Sequence, residues 1–383
     1  MSKLLEQINK EKIPHQVSDL MDIKYGFGLP ERDRIKGVVP VYASSGIVGY
    51  HNASKVKNPS IIIGRKGNVG TVSYSETESY PIDTVFYVDK AKAGFNLKYL
   101  YYLLQRINLP RYGGDSAVPG LSRDTIYSLG VQTPKIDTQD KIASILSAHD
   151  AKIKNNNAII KNLETIAQIV FDEWFVNFRF PGYEKAKFID SEMGEIPEEW
   201  EIKDIKDVFT VILGGTPSRE KPEYWNGNIP WINSGEVNRL RILGATEYIT
   251  DLGLRKSNAR LIKSGATVLA ITGATLGQVS RLEIDSTANQ SVVGIFDEEN
   301  ILNEYLYLYI SNNILDLISG ASGGAQQHIN KQMVENYKII IPPEQIITGF
   351  NKKVISIFLL IKILFQENIS LKSQRDQLLA KLI

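Results

Sequence analysis

Along two long stretches of this chain, apolar residues recur at alternating spacings of four and three. The first holds Ile142, Leu146, His149, Ile153, Asn156, Ile160, Leu163, Ala167 and Val170; the second holds Val354, Ile357, Ile361, Leu364, Asn368, Leu371, Arg375 and Leu378. Such a/d spacing, with no Pro or Gly inside it, predicts a helix with one buried seam. From Thr138 to about Phe178 the first helix would be roughly 55 Å long. Asn156 and Asn368 stand at seam positions, where a buried Asn sacrifices stability and fixes register; at the seam edge the same side chains would meet water. His149 reads as a seam residue, since no metal-spaced partner lies near it. Two seams in one chain can pack on each other, and the segment between them permits an antiparallel pair.

Elsewhere the chain is rich in short β-type runs. Ser60-Ile61-Ile62-Ile63, Thr84-Val85-Phe86-Tyr87-Val88 and Thr267-Val268-Leu269-Ala270-Ile271 read as strands between Gly-, Asn- and Ser-rich turns, and Leu97 to Gln105 reads as a short helix. These patterns occur twice, about 208 residues apart. Val131-Gln132-Thr133-Pro134 is echoed by Ile339-Ile340-Ile341-Pro342, Leu97 to Leu103 by Asn303 to Tyr309, and Val69-Gly70-Thr71-Val72-Ser73 by Leu276-Gly277-Gln278-Val279-Ser280. A solenoid repeats every 20–50 residues or so, so this period means a duplicated domain with a duplicated spacer. The expected class is α+β: two mixed α/β globules separated by two long helices in a pseudo-twofold repeat. The expected boundaries are globule 1–137, spacer helix 138–180, linker 181–198, globule 199–343 and helix 344–383.

Composition narrows the possibilities. A chain of 383 residues with 43% hydrophobic and 23% charged residues is an ordinary folded protein. The absence of cysteine excludes disulfides, thiolate metal sites and a cysteine nucleophile. Met1 to Lys12 lacks a signal-peptide core. The apolar run from Val354 to Phe365, interrupted by Ser356 and Lys362, is too short to span a bilayer. A cytoplasmic protein with no membrane partner is expected. Net charge is +1, but residues 1–137 carry 18 Lys and Arg against 13 Asp and Glu. That globule is mildly basic, which fits a polyanion partner or none.

No catalytic motif is present. There is no P-loop; Gly26-Phe27-Gly28 lacks a third glycine and runs into Pro30. The four histidines, His15, His51, His149 and His328, are scattered. The one Pro-Pro pair, Pro342-Pro343, has the wrong flanks for an amino-methyltransferase loop and suits a helix start. No metal and no cofactor are expected in this chain. What remains are polar, Gly-rich loops at matched places. Arg and Asn or Gln can read guanine and adenine edges, and Lys and Arg can neutralise phosphates. Solvated turns between strands would look the same. In the first globule the candidates are Ser44, Ser45, Arg65, Lys66, Asn68, Arg111, Ser116 and Arg123. In the second they are Thr216, Ser218, Arg219, Asn233, Ser234, Thr272, Thr275, Gln326, Gln327, Asn330 and Lys331. The residues alone leave two readings open: a two-headed DNA reader, or a coiled-coil adaptor whose globules bind protein or ligand.

Four motifs carry a family resemblance. They are Gly214-Gly215-Thr216-Pro217-Ser218 with Gly227-Asn228-Ile229-Pro230-Trp231-Ile232; Pro134 and Gln139 leading into Leu146 to Ile153; Phe171-Asp172-Glu173-Trp174-Phe175-Val176-Asn177-Phe178; and Met193-Gly194-Glu195-Ile196-Pro197-Glu198-Glu199-Trp200. In order and doubling, the whole chain resembles a specificity subunit of a type I restriction–modification system. The resemblance implies two target-recognition domains on an antiparallel coiled coil, each reading half of a split DNA site on double-stranded DNA. It implies docking of two methyltransferase subunits and two restriction/translocase subunits, with S-adenosylmethionine, ATP and Mg held in those partners. Asp150, Lys152, Trp174 and Phe175 are the docking candidates it suggests. The second copy departs from the first: its Gln345 is shifted relative to Gln139, and it lacks the Asp-x-Lys-Ile of Asp150 to Ile153 and a Trp-Phe tail.

Overall fold

The computed structural model describes residues 2–113, 120–320 and 328–383. They form two compact units, Met1–Lys154 with Ser370–Ile383, and Asn155–Ile369.

In chain order, the first unit contains α1 (Ser2–Glu11), β1 (Ile13–Gln16), α2 (Val17–Leu20), β2 (Lys24–Tyr25), β3 (Val39–Ala43), β4 (Gly46–His51), β5 (Ser60–Gly64), β6 (Val72–Ser75), β7 (Tyr80–Pro81), β8 (Val85–Val88), α3 (Leu97–Ile107), α4 (Arg123–Tyr127), β9 (Gly130–Thr133) and the start of α5 (Ile136–Phe171). The first strand pairs antiparallel with the last, Ile13 opposite Thr133. The main sheet has the order β2-β8-β5-β6, and a smaller one β4-β3-β7, in which β3 and β7 run parallel. β5 is apolar at successive positions because both its faces are covered. Ile61 and Ile63 point into the core with Leu100, Leu103 and Leu104 of α3, while Ile62 packs with Tyr42, Val85 and Tyr87. α3 starts where the Asn96 side chain accepts the Tyr99 amide at 2.8 Å and stops at Asn108, whose φ is 57°.

The second unit repeats this plan. After the hairpin β10 (Phe188–Ser191) and β11 (Gly194–Pro197) come β12 (Glu201–Asp204), α6 (Ile205–Val208), β13 (Thr210–Leu213), β14 (Trp225–Ile232), β15 (Arg241–Ile242), β16 (Glu247–Ile249), α7 (Asp251–Arg255), β17 (Thr267–Ala270), β18 (Val279–Leu282), β19 (Thr287–Ala288), β20 (Val292–Phe296), α8 (Asn303–Ser319), α9 (Lys331–Glu335), β21 (Lys338–Ile341) and α10 (Glu344–Leu382). First and last strands again pair, Glu201 opposite Ile341. The sheets run β13-β20-β17-β18-β15 and β16-β14-β19. Each strand of the first globule thus has a counterpart in the second. β15 has no counterpart in the first globule among the described residues.

α5 and α10 run antiparallel. In the second unit Asn156 Nδ2 donates to Asn368 Oδ1 at 3.0 Å and to Glu367 at 2.7 Å. Ile160 packs with Ile361 and Leu364 one turn further along. In the first unit Arg375 donates to Asp150 at 2.7 Å, and Asp150 also accepts from Tyr102. The seam residues are buried or half-buried throughout, as their spacing predicts. Beyond Phe171 the helix widens into one π-turn, Asp172–Val176. The expectation about membrane-spanning length needs amending. As folded, α10 is long and apolar enough to cross a membrane by length and composition, with 28% of its most apolar window buried. The buried positions pack partly on α5 and partly on the second globule, as Phe358 does on Tyr307; Ile355, Leu359 and Ile363 are exposed.

Trp174 and Phe175, two of the docking candidates, are buried within the second unit. The π-turn aims them inward, where Phe175 lies 4.8 Å from Phe350, 4.7 Å from Tyr305 and 5.8 Å from Trp200, ring to ring. Phe350 is fully buried in this aromatic core. Truncating it leaves a cavity, so Phe350→Ala should destabilise the second unit by about 3–5 kcal/mol. Urea titration followed by Trp fluorescence measures this, and a loss below about 1 kcal/mol would mean the core closes around the gap.

Candidate nucleic-acid interface

In the first unit, the loop after β5 and the turn between β3 and β4 meet. The Gly64 amide donates to Thr71 O and the Gly70 amide to Gly64 O, both at 2.8 Å. Gly70 has φ 75° and packs on the chain at Leu109–Pro110, where a Cβ would lie 2.4 Å from Pro110 N; only Gly fits. The Asn68 amide donates to Ser44 Oγ at 3.3 Å, and Thr71 Oγ1 to Ser44 O at 2.7 Å. Ser44, Ser45, Lys66 and Asn68 therefore share one surface. Arg111 follows Pro110 and lays its guanidinium 4.7 Å from the Tyr112 ring.

Backbone pairing brings a second segment to the same loop. Leu121 N donates to Arg65 O at 3.0 Å, and Lys66 bridges to Gly120. Arg65 and Arg123 consequently converge on Tyr25, 4.9 Å and 5.3 Å from its ring. Tyr25 is about half exposed and rests edge-on against Phe86. These residues, with Lys66 and Ser122, line a cavity of about 300 Å³. Among the described residues no carboxylate pairs with either guanidinium. An exposed ring under two unneutralised cations suits a phosphate or a stacked base.

The second unit has a groove at the matching strand end, which shares two matched positions with the first and is otherwise lined from different segments. Leu213 stands opposite Val293 as Tyr25 stands opposite Phe86. The following glycines, Gly26 and Gly214, are pressed onto the carbonyls of Ile82 and Asn289, where a Cβ would lie 1.9 Å and 2.1 Å away. Asn330 caps α9 as Ser122 caps α4, so Lys331 takes the place of Arg123. The cavity, about 770 Å³, is lined by Leu213, Thr216, Asn258, Arg260, Gln290 and Lys331 among others. Thr216 Oγ1 donates to Gln290 Oε1 at 2.5 Å.

Other expected DNA-reading residues have internal work. Arg219 forms a two-pronged pair with Glu247, at 2.5 and 2.9 Å, and stacks 3.6 Å from the Trp225 ring. That pairing raises the Arg219 guanidinium and holds the Glu247 carboxyl below its usual range. Ser218 lies beside it, its carbonyl accepting from Trp225 Nε1. The Asn233 carboxamide accepts the Gly235 amide at 2.8 Å, just beside Ser234, and Asn330 accepts that of Met333. Both are occupied as caps. Thr275 Oγ1 donates to Thr272 O within the turn after β17. Lys331 pairs with Glu335 at 3.0 Å. Asp150 is held by Tyr102 and Arg375, and Lys152 is exposed on α5. Ser116, Gln326 and Gln327 lie outside the described residues. Sequence reasoning missed Tyr25, Asn258, Arg260 and Gln290. The alignment of Tyr25-Gly26 with Leu213-Gly214 was the available signal for the first.

A family model for the type I restriction modification DNA specificity domain matches residues 9–165 and 197–379. The type I restriction enzyme MjaIX specificity subunit of Methanocaldococcus jannaschii is 27% identical over 301 residues, covering 76% of this chain and 69% of that protein. The HindI specificity subunit of Haemophilus influenzae is 26% identical over 378 residues, covering 81% and 82%. In fold the chain is similar to the crystal structure of a type I restriction–modification S subunit from M. genitalium, with TM-score 0.63, 14% identity, and 97% and 96% of the chains covered.

The Arg219–Glu247 pair makes a pH test. A carboxyl held low contributes stability above its unfolded value, about 4.3, and loses it as pH falls through the lower folded value. Acid titration of Trp fluorescence should show a component with a midpoint below about 4.3, reported by Trp225 and absent in Glu247→Gln. The same curve in both proteins would mean the pair does not govern that ring.

Proposed function

The chain belongs to the type I restriction–modification DNA specificity family, and from that premise we propose that its two globules read the two halves of one split, asymmetric DNA site. A specificity subunit of this family is non-catalytic and works within a complex that binds DNA. The observation that carries the split-site reading is a polar groove at the matched strand end of each globule, differently lined in the two. One frame holds Arg65, Arg123 and Lys66 around Tyr25 in the first globule. In the second it holds Thr216, Asn258, Gln290, Arg260 and Lys331. Phosphate contacts from the cations would set register, while Arg would favour guanine and Asn or Gln adenine at base edges. Two different readers on one frame suit a target whose halves differ.

The complex would contain two methyltransferase subunits and two restriction/translocase subunits in the cytoplasm, with S-adenosylmethionine, ATP and Mg held by those partners. The helices offer the docking surface. Ile166 and Ile169 of α5 and Ile355, Leu359 and Ile363 of α10 are exposed. At the places matching the α10 residues the first copy has Ser147, Ala151 and Asn155, so the two docking faces are unequal. With a net charge of +1, the isolated chain should bind DNA weakly and salt-sensitively; tight, site-specific binding by the chain alone at high salt would contradict this.

Methylation mapping of host DNA with and without the gene tests the reading: a two-part methylated motif should disappear with the gene. An unchanged methylome, with the system expressed, would sink it. Arg65→Ala with Arg123→Ala should abolish selectivity at one half-site and leave the other intact. In the assembled complex it should also flatten the salt dependence of binding by about 0.9 for each phosphate no longer neutralised. Equal loss at both half-sites would assign these arginines to folding or general affinity.

A further inference from the structure

The second unit buries a compact charge network that has no counterpart among the described residues of the first. Arg241, on β15, is fully buried; its Nη2 donates to Glu164 of α5 at 2.8 Å, and its Nη1 lies 3.6 Å from Glu283. Arg281, its neighbour across the parallel pair, donates to Glu283 at 2.8 Å and to Glu304 of α8 at 2.6 Å. Lys362 of α10 reaches Glu283 at 3.4 Å. The Arg241 guanidinium also lies 4.7 Å from the ring of Tyr307 and 4.6 Å from that of Phe358. Three cations thus meet three carboxylates where globule and both helices converge.

The first globule handles the same place differently. Tyr74 lies opposite Ile61 as Arg281 lies opposite Thr267. Glu76 takes Lys154 and Lys98 as partners, at the surface, and Lys98 lies 3.7 Å from the Tyr74 ring. β15 exists only in the second globule among the described residues, and it is the strand that delivers Arg241.

Burying charges is expensive, and an apolar cluster of equal volume would be at least as stable. What a flat guanidinium fork adds is direction, because it bonds well at few angles. We propose that Arg241, through Glu164, is a positioning residue that fixes the angle at which the second globule sits on its helices. It thereby sets the gap tolerated between half-sites. This rests on the split-site reading above.

The test is methylation mapping in cells expressing the full chain with its methyltransferase. Glu164→Ala removes the acceptor; Glu164→Gln keeps an acceptor oxygen. With Glu164→Ala, methylation at sites whose gap differs by one base pair should rise about tenfold relative to native-gap sites, with both half-site sequences unchanged. With Glu164→Gln the ratio should stay within about twofold of wild type. A merely structural role would lower methylation everywhere at an unchanged ratio, and that result overturns the proposal. Should Glu164→Ala not accumulate, Lys362→Ala loosens the same network from the exposed side. Its ratio should rise about threefold, and no rise overturns the proposal. A wild-type methylome with no two-part motif would instead overturn the split-site reading.

Discussion

The antiparallel pairing of Ile13–Gln16 with Gly130–Thr133, and of Glu201–Asp204 with Lys338–Ile341, constrains everything else in each globule. A four-residue ladder closes a loop of more than a hundred residues in each globule, an ordering cost that grows only slowly with loop length. The ladder also decides where the long helices begin, since each starts directly after its closing strand. Gln139 reinforces the first start, accepting the Asn96 amide at 3.0 Å and donating to Pro134 O at 2.8 Å. In the second copy no glutamine among the described residues does this: position 347, which matches it, is a buried isoleucine, and packing replaces hydrogen bonding.

The long-range order was legible because it rests on periodicity. The seam spacings of α5 and α10, the apolar run Ile61-Ile62-Ile63 and the doubled proline-terminated strands all report burial, and burial repeats along a sequence. What was not legible depends on who meets whom. Arg219 and Asn233 carry the side chains that read bases, yet one is matched to Glu247 from 28 residues away and the other caps a turn. Trp174 and Phe175 sit at the end of an exposed-looking helix, and only the π-turn after Phe171 explains their burial. Tyr25 has no pattern to mark it, being an isolated aromatic in a two-residue strand. Its meaning comes from Arg65 and Arg123, which backbone pairing brings to it across 40 and 98 positions.

The two copies differ most where chemistry, rather than packing, is at stake. The frame glycines Gly26 and Gly214 keep their places because a carbonyl fills the space a side chain would need. The groove lining changes in size and charge, and the globule–helix junction changes from solvated lysines to a buried guanidinium network. A close-packed backbone tolerates no variation, whereas side chains that face water tolerate a great deal.

The closing ladder has a further consequence. Ile13 lies directly opposite Thr133, and Glu201 opposite Ile341, so each globule's entry and exit are about 5 Å apart. A module whose ends nearly touch can be cut out and replaced by another of similar ladder without redirecting the chain on either side. Each globule is thus built as a cassette: one recombination between ladders would exchange it whole and leave both long helices in place.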